Sequence, residues 1–189
     1  MPKANIRHPN LLQRENACLL IIDVQERFRA HIENFELITK NIVALIQAAN
    51  KLQVPIILSE QYPEGLGSTI KEILLAIDKP EVFAKKAFSC CQVESFVKHL
   101  KGLKRTQVLA TGIESHVCVN QTVHDLLKRG YQTHIVVDAI SSRKNINKEI
   151  SIKKMHDSGA IVSSTEMAIL ELLKTSDNEA FKYIQNLIK

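Results

Sequence analysis

The stretch QVLATGIESHVCVNQTVHDLL, residues 107–127, decides the fold class of this chain. Its opening run, QVLATGI at 107–113, lacks a regular alternation of polar and apolar side chains, which is typical of a strand buried on both faces. The apolar side chains that follow recur at helical spacing: Val119, Val123, Leu126 and Leu127. A buried strand followed by an amphipathic helix is the repeating unit of an α/β protein.

Similar apolar runs recur along the chain and alternate with segments of helical spacing. They are ACLLII at 17–22, VPIILS at 54–59, HIVVDAI at 134–140 and AIVSS at 160–164, with EVFAK at 81–85 as a weaker strand candidate that the alternation requires. The alternation predicts a three-layer α/β/α fold with a parallel, Rossmann-like central sheet of about six strands. We expect one domain over residues 1–189, with a core at about 17–174 and a C-terminal helix at 178–188 that packs on the body or on another subunit.

The composition is that of an ordinary globular protein. Hydrophobic residues make up 45% and charged residues 24% of the 189 residues, which argues against disorder and coiled coil. The 25 basic and 20 acidic side chains are interspersed, so the net charge of +5 does not predict a nucleic-acid partner. The apolar run 17–22 is too short to cross a bilayer, and the N-terminus lacks a signal-peptide pattern. We therefore expect a cytoplasmic protein with no membrane partner, and an organellar address stays open.

Three chemically active side chains follow predicted strands that are far apart in sequence. Asp23 comes directly after the first run, Lys85 or Lys86 after the EVF of the weaker one, and Cys118 shortly after QVLATGI. Ligands bind outside the carboxyl ends of parallel strands, so these side chains are expected at one rim of the sheet.

Cys118 has the residue type and the neighbours of a nucleophile. With Ser115 as the N-cap, Cys118 would lie in the first helical turn, where the helix dipole and a nearby Lys85 would favour the thiolate. Asp23 could take the thiol proton, and backbone N–H groups of the turn could hold an oxyanion. These parts suffice for attack on a carbonyl carbon, but by position alone a buried core thiol explains Cys118 equally well.

Four stretches resemble the isochorismatase-like cysteine hydrolase superfamily, which includes nicotinamidases, N-carbamoylsarcosine amidohydrolases and isochorismatases. They are, in family order, LLIIDVQERF at 19–28, AKKAFSC at 84–90, VLATGIESHVCV at 108–119 and the segment 136–173. The resemblance implies a hydrolase whose triad falls on Asp23, Lys85 and Cys118. The family pattern K-x-x-F-S matches Lys85 rather than Lys86.

The same resemblance implies further details of the site. It places a cis peptide bond at Ile113–Glu114 and oxyanion donors at the N–H groups of Glu114 and Cys118. Nicotinamidases carry an Asp-x-His metal motif after the second strand, but residues 57–67 here read ILSEQYPEGLG and contain no histidine. We therefore predict no metal and no other cofactor. This segment resembles the subgroup of isochorismatase domain-containing proteins.

The rim loops supply the remaining candidates for substrate contacts. They are Gln25, Phe28, Glu60, Gln61, Tyr62 and His116. Phe28 fits the core equally well, and His116 fits a surface or capping position equally well. Arg143 could bind a carboxylate, although an ion pair within the chain is the better expectation.

The leading hypothesis is a hydrolase that cleaves a small amide, imide or related carbonyl compound through a covalent thioester-like intermediate. The alternative is a non-catalytic or redox-responsive interaction protein that keeps the hydrolase fold, with Cys118 oxidised reversibly. The resemblance also implies a homo-oligomer, a dimer or larger. The sequence predicts a small-molecule substrate without identifying it.

Overall fold

The computed structural model describes residues 7–189 and contains one parallel sheet of six strands. The strands are β1 Ala17–Ile22, β2 Ile56–Gln61, β3 Val82–Lys85, β4 Gln107–Ile113, β5 Gln132–Ser141 and β6 Ile161–Ser163. Their order across the sheet is β3-β2-β1-β4-β5-β6. Residues 1–6, which the single-domain prediction includes, lie outside the described range.

Helices cover both faces of the sheet, so the predicted three-layer α/β/α fold is confirmed. The helices are α1 Phe35–Leu52, α2 Pro63–Leu66, α3 Lys71–Leu75, α4 Glu94–Gly102, α5 Asn120–Lys128, α6 Asn145–Asp157, α7 Thr165–Leu173 and α8 Phe181–Leu187. Buried residues of α1, α3, α7 and α8 share one apolar cluster, and those of α4, α5 and α6 share the other. Short 3-10 turns occur at Glu26–Phe28 and Cys90–Gln92.

Burial explains how clearly the sequence predicted each strand. β1 and β4 are buried along their whole length, and their bounds agree with the runs 17–22 and 107–113. β3 is an edge strand in which Val82 and Ala84 are exposed, and this accounts for its weak apolar signal. β2 extends to Gln61, beyond the predicted run, because its polar end pairs with β3.

The C-terminal helix packs on the body of its own chain. It begins at Phe181, later than the predicted 178–188, and its buried Ile184 joins the cluster around α1. Burying an aliphatic side chain of this size contributes about 1.5–3 kcal/mol to folding. Neither α8 nor any other helix among residues 7–189 has the length and apolar character needed to cross a membrane.

The carboxyl ends of β1 and β4 approach closely in the middle of the sheet. Gly112 of β4 faces Ile22 of β1, and its φ is +105°. A β-carbon at Gly112 would overlap the backbone of Ile22, so only glycine permits this approach. The connections from these two strands run to opposite layers, since α1 and α5 lie in different clusters. A crevice therefore opens above their ends, where ligands bind in sheets of this kind.

Candidate active site

A buried ion pair lies at the carboxyl ends of β1 and β3. Asp23 directly follows β1 with a left-handed backbone (φ +54°), and its N–H donates to the Ser59 carbonyl at 3.0 Å. Lys85, the last residue of β3, extends Nζ to Asp23 Oδ2 at 2.6 Å. The exposed fractions of the two side chains are 0% for Lys85 and 1% for Asp23. Two charges can occupy such a site only because each offsets the other.

Ser59 and Cys90 complete the surroundings of the carboxylate. Ser59 Oγ donates to Asp23 Oδ1 at 2.8 Å, and Cys90 Sγ donates to Ser59 Oγ at 3.3 Å. The two oxygens of Asp23 therefore have separate donors, which fixes the orientation of the carboxylate. Sequence reasoning missed Ser59. The signal that could have found it is register, because Ser59 lies opposite Ile22 in the β1–β2 pair.

Gln61 connects the ion pair to the thiol. Its Oε1 accepts from Lys85 Nζ at 2.7 Å and from Cys118 Sγ at 3.8 Å. Its Nε2 donates to the Lys86 carbonyl at 2.8 Å, so both ends of the amide are held. Lys85 is the lysine that enters the site, whereas the side chain of Lys86 is exposed.

Cys118 lies in a single π turn, Ser115–Val119, that precedes α5. The Glu114 carbonyl accepts the N–H groups of the residues on either side of Cys118, at 3.0 and 3.2 Å. The peptide bond between Ile113 and Glu114 is cis. One-turn π segments of this kind occur frequently at functional sites.

The loop after β5 holds this turn from the side. Ser115 Oγ bonds to Ser142 Oγ and Glu114 is the N-cap residue, so the predicted capping role of Ser115 is wrong. The Glu114 carboxylate accepts the backbone N–H of Arg143 at 2.9 Å and its Nε at 3.1 Å. His116 Nδ1 lies 2.9 Å from Ser142 Oγ. The turn is thus tied to the next strand by side chains that sequence spacing alone did not connect.

Burial controls the protonation of the three central groups. Burial raises the pKa of the Cys118 thiol, the Asp23 carboxylate raises it further, and the Lys85 ammonium offsets only part of the rise. The structure thus adds a cost that the sequence did not reveal, because with only 6% of Cys118 exposed desolvation penalises the thiolate. Burial also raises the pKa of Asp23 in spite of Lys85. Burial opposes the charge on Lys85, but Asp23 keeps the pKa of that ammonium above its usual value.

The sequence matches the family model described as isochorismatase domain over residues 17–167. This chain belongs to the isochorismatase family. Isochorismatase domain-containing protein 2A of Mus musculus is 40% identical over 176 residues, which cover 93% of this chain and 84% of that protein. Isochorismatase family protein 1B of Dictyostelium discoideum is 36% identical over 189 residues, which cover 97% of this chain and 91% of that protein.

A solved structure has the same fold. It is described as MAR1 ribonuclease from Caenorhabditis elegans, with a TM-score of 0.90, 40% identity, and coverage of 94% of this chain and 92% of that one. The predicted family is thereby confirmed, and the chain has the fold of the isochorismatase-family hydrolases.

Two residues predicted to contact substrate, Gln25 and Glu60, brace a loop of the isochorismatase-family chain. Gln25 is fully buried: its Nε2 donates to the carbonyls of Gln61 at 3.0 Å and Gly67 at 2.6 Å, and its Oε1 accepts the Gln61 N–H at 2.8 Å. Glu60 Oε1 accepts the N–H and the hydroxyl of Thr69 at 2.6 and 2.8 Å. The amide of Gln25 and one carboxylate oxygen of Glu60 thus hold the loop after β2.

The crevice of this isochorismatase-family chain forms a cleft of about 670 Å³. Its walls are Arg27, Phe28, His31, Gly65, Leu66, Glu114 and Arg143. Tyr62 is half-exposed and, with Lys85, lines a smaller cavity of about 170 Å³. The predicted residue His116 is among the lining residues of neither space. Sequence reasoning missed Arg27 and His31, because the conformation of the 3-10 turn Glu26–Phe28 and of the residues after it decides which polar side chains reach the crevice.

The residues at the position of the nicotinamidase metal motif are occupied by protein contacts. Glu60 is bonded to Thr69, and Gln61 to Lys85. Among residues 7–189, no three His, Cys, Asp or Glu side chains lie close enough together to hold a metal ion.

Proposed function

We propose that this protein is a cysteine hydrolase that cleaves the C–N bond of a small amide, imide or related carbonyl compound. Cys118 is the nucleophile, Asp23 the proton shuttle and Lys85 the electrostatic partner. One observation carries the proposal: Lys85 Nζ lies 2.6 Å from Asp23 Oδ2, and Gln61 Oε1 accepts from both Lys85 Nζ and Cys118 Sγ, so one hydrogen-bonded chain joins the ion pair to the thiol. Membership of a hydrolase family supports the reaction class.

The first half-reaction acylates the sulfur. The thiol proton passes to Asp23 as Cys118 Sγ attacks the carbonyl carbon, so an S–C bond forms and the carbonyl oxygen becomes an oxyanion. The raised pKa of Asp23 makes its carboxylate a stronger base for this transfer. Lys85 stabilises the anionic state from 2.6 Å behind the carboxylate.

Two backbone N–H groups, those of Glu114 and Cys118, receive the oxyanion in this proposal. The π turn supports it, because the Glu114 carbonyl accepts from the neighbours of Cys118 and leaves the Cys118 N–H without that acceptor. Donors fixed in advance at a developing charge are among the largest contributions to catalysis.

The second half-reaction restores the thiol. It begins once acylation is complete, that is, after collapse of the oxyanion has broken the C–N bond and Asp23 has given its proton to the departing nitrogen. A water molecule then gives a proton to Asp23 and attacks the thioester. When the S–C bond breaks, the carboxylic acid leaves and Asp23 returns its proton to Cys118. The sum is amide plus water to acid plus amine, with no change of oxidation state. Gln61, Phe28 and Tyr62 are the side chains that we propose to contact the substrate.

The test is a screen of amides, carbamoyl compounds and pyrazinamide-like rings with the intact protein, with and without a chelator. Active compounds are repeated with Cys118→Ala and Cys118→Ser, and acyl-enzyme is sought by intact mass spectrometry. We expect turnover to be abolished in both variants and to be insensitive to the chelator. Cys91→Ala is the matched control, because Cys91 is also a buried free thiol but is not one of the three central groups. Undiminished turnover by Cys118→Ala would reject the mechanism.

RNA cleavage is the second candidate function, favoured because the structurally similar nematode protein is described as a ribonuclease. Labelled RNA incubated with the wild type, Cys118→Ala and Lys85→Met separates the two functions. RNA would be favoured over a small amide as the substrate if the purified wild type cleaves RNA and both variants do not. This cleavage should also fall steeply as the salt concentration rises. A protein inactive in both assays, whose Cys118 is oxidised reversibly by mild peroxide, would support the redox alternative.

A further inference from the structure

The large cleft opens at the same edge of the sheet as the proposed catalytic groups, and its walls do not include Asp23, Lys85 or Cys118. Its walls come from the segments that follow four neighbouring strands: Phe28 after β1, Leu66 after β2, Glu114 after β4 and Arg143 after β5. The same strand ends carry Asp23, Gln61 and the turn of Cys118. The cleft and the thiol therefore share one edge of the sheet, and Glu114, which precedes the turn of Cys118, is one of the cleft's walls.

The cleft has an excess of positive charge. Two neighbouring arginines on the turn after β1 differ in how they are neutralised. Arg29 is bonded to three carboxylates, those of Glu26, Glu36 and Glu72. Arg27 lines the cleft, is exposed, and makes no salt bridge or side-chain hydrogen bond with any residue in the range 7–189.

The opposite wall does not cancel this charge. The Glu114 carboxylate is the only acidic group among the cleft residues, and it is already paired with Arg143 at 3.1 Å. Two guanidinium groups thus face one carboxylate. Between them, Phe28 and Leu66 provide apolar walls.

We propose that this cleft selects substrates that join an apolar body to an anionic group, a carboxylate above all, with Arg27 as the group that recognises the anion. A planar guanidinium suits a carboxylate because it offers two parallel N–H donors. The inference rests on the proposed function, since it names the substrate class of the same site. Arg27 then determines specificity and takes no part in bond breaking.

Two alkylating reagents of nearly equal size test the charge preference without knowledge of the substrate. Iodoacetate is anionic and iodoacetamide is neutral. Each forms an S–C bond with Cys118 and releases iodide, while the thiol proton passes to Asp23. Alkylation of Cys118 is followed by peptide mass spectrometry on the full-length protein. The measured quantity is the ratio of the iodoacetate rate to the iodoacetamide rate, divided by the same ratio for free cysteine.

Charge removal at Arg27 should lower this normalised ratio. We expect Arg27→Gln to lower the normalised ratio about fivefold at low salt, because it removes one charge interaction of moderate strength. Arg27→Lys keeps the charge and should retain part of the preference for iodoacetate. Lys182→Gln removes the same charge from the exposed face of α8 and should leave the ratio unchanged. High salt should move the wild-type ratio toward that of Arg27→Gln.

The outcomes separate the two proposals. Equal ratios in the wild type, Arg27→Gln and Lys182→Gln, with Cys118 labelled normally, would overturn the anion preference and leave the hydrolase proposal intact. A Cys118 that reacts with neither reagent would instead contradict its role as a nucleophile. For hydrolysed amides found in the screen, Arg27→Gln should raise KM for carboxylate-bearing compounds and leave kcat and neutral compounds unaffected.

Discussion

The ion pair of Asp23 and Lys85 and the side chain of His134 are both buried, but the fold treats them in opposite ways. Asp23 and Lys85 are hydrogen-bonded to each other and to Ser59 and Gln61. His134 is the third residue of β5, with 1% of its surface exposed, and neither ring nitrogen has a hydrogen-bond partner in the described part of the chain. Burial lowers the pKa of His134 to about 4.

The difference shows what burial does to an ionisable group. Where an opposite charge and fixed donors are present, the interior retains charge, as at Lys85. Where they are absent, the group is kept neutral, as at His134. The charged arrangement sits at the carboxyl ends of the strands, the edge at which sheets of this kind bind ligands. The neutral one lies inside a strand and contributes to packing.

The largest expected effect on stability comes from removing one partner of the Asp23–Lys85 ion pair. Lys85→Met leaves Asp23 buried without its countercharge and should lower the free energy of unfolding at neutral pH by about 3–5 kcal/mol. Asp23→Asn combined with Lys85→Met removes both charges and should recover much of this loss. Denaturant unfolding of the three proteins measures it. A double variant as unstable as Lys85→Met would show that the countercharge is not the cause.

His134 should make the protein sensitive to acid. Its pKa is about 4 in the folded chain, below the ordinary value of 6.5, so the unfolded state binds more protons at low pH. The stability is complete above about pH 6.5 and falls by as much as about 3 kcal/mol as the pH drops toward 4. His134→Leu should lose this part of the pH dependence in unfolding curves, and the exposed His8→Gln should keep it. Parallel curves for the wild type and His134→Leu would refute the assignment.

Replacing Gln25, a buried side chain that is hydrogen-bonded but uncharged, should have an intermediate effect on stability. Gln25→Ala removes three hydrogen bonds that brace Gln61 and Gly67, and it should cost about 1–3 kcal/mol of unfolding free energy. Since Gln61 contacts Lys85, kcat should also fall. The control is Gln92→Ala, whose exposed amide bonds to Asp125 and whose loss should change the stability by less than about 0.5 kcal/mol. Equal stability losses in the two variants would contradict the bracing role.

The smallest effect on stability should come from removing the Ser59 hydroxyl, one of the hydrogen-bond donors to the Asp23 carboxylate. The Ser59 hydroxyl lowers the pKa of Asp23 against the larger raising effect of burial, so Ser59→Ala should raise that pKa. The unfolding free energy should fall by only about 1 kcal/mol. The acid limb of the pH–rate profile should move to higher pH, while Ser151→Ala, a buried hydroxyl on α6, should leave it in place. An unmoved acid limb would mean that Asp23 is not the base that the profile reports.

The regular elements were predictable because their signals are local. β1 and β4 are buried on both faces, so their apolar runs gave the bounds directly. The edge position of β3 weakened its signal, and the polar end of β2 hid its last two residues. Asp23 and Lys85 could be placed at one rim from strand order alone. Ser59 could not, because its approach to Asp23 depends on the register of two strands.

The sequence alone determined the alternating fold, the family and the set of side chains at the rim of the sheet. These could be predicted because the hydrophobic periods of strands and helices are local features of the sequence. Only the tertiary structure decided the surroundings of these groups: burial raises the pKa of Cys118, Gln25 and Glu60 brace a loop, and Arg27 is left without a partner among the described residues. The desolvation of a group and its hydrogen-bond partners depend on every element packed around it. A local sequence pattern does not contain this information, because those elements are far apart in the chain.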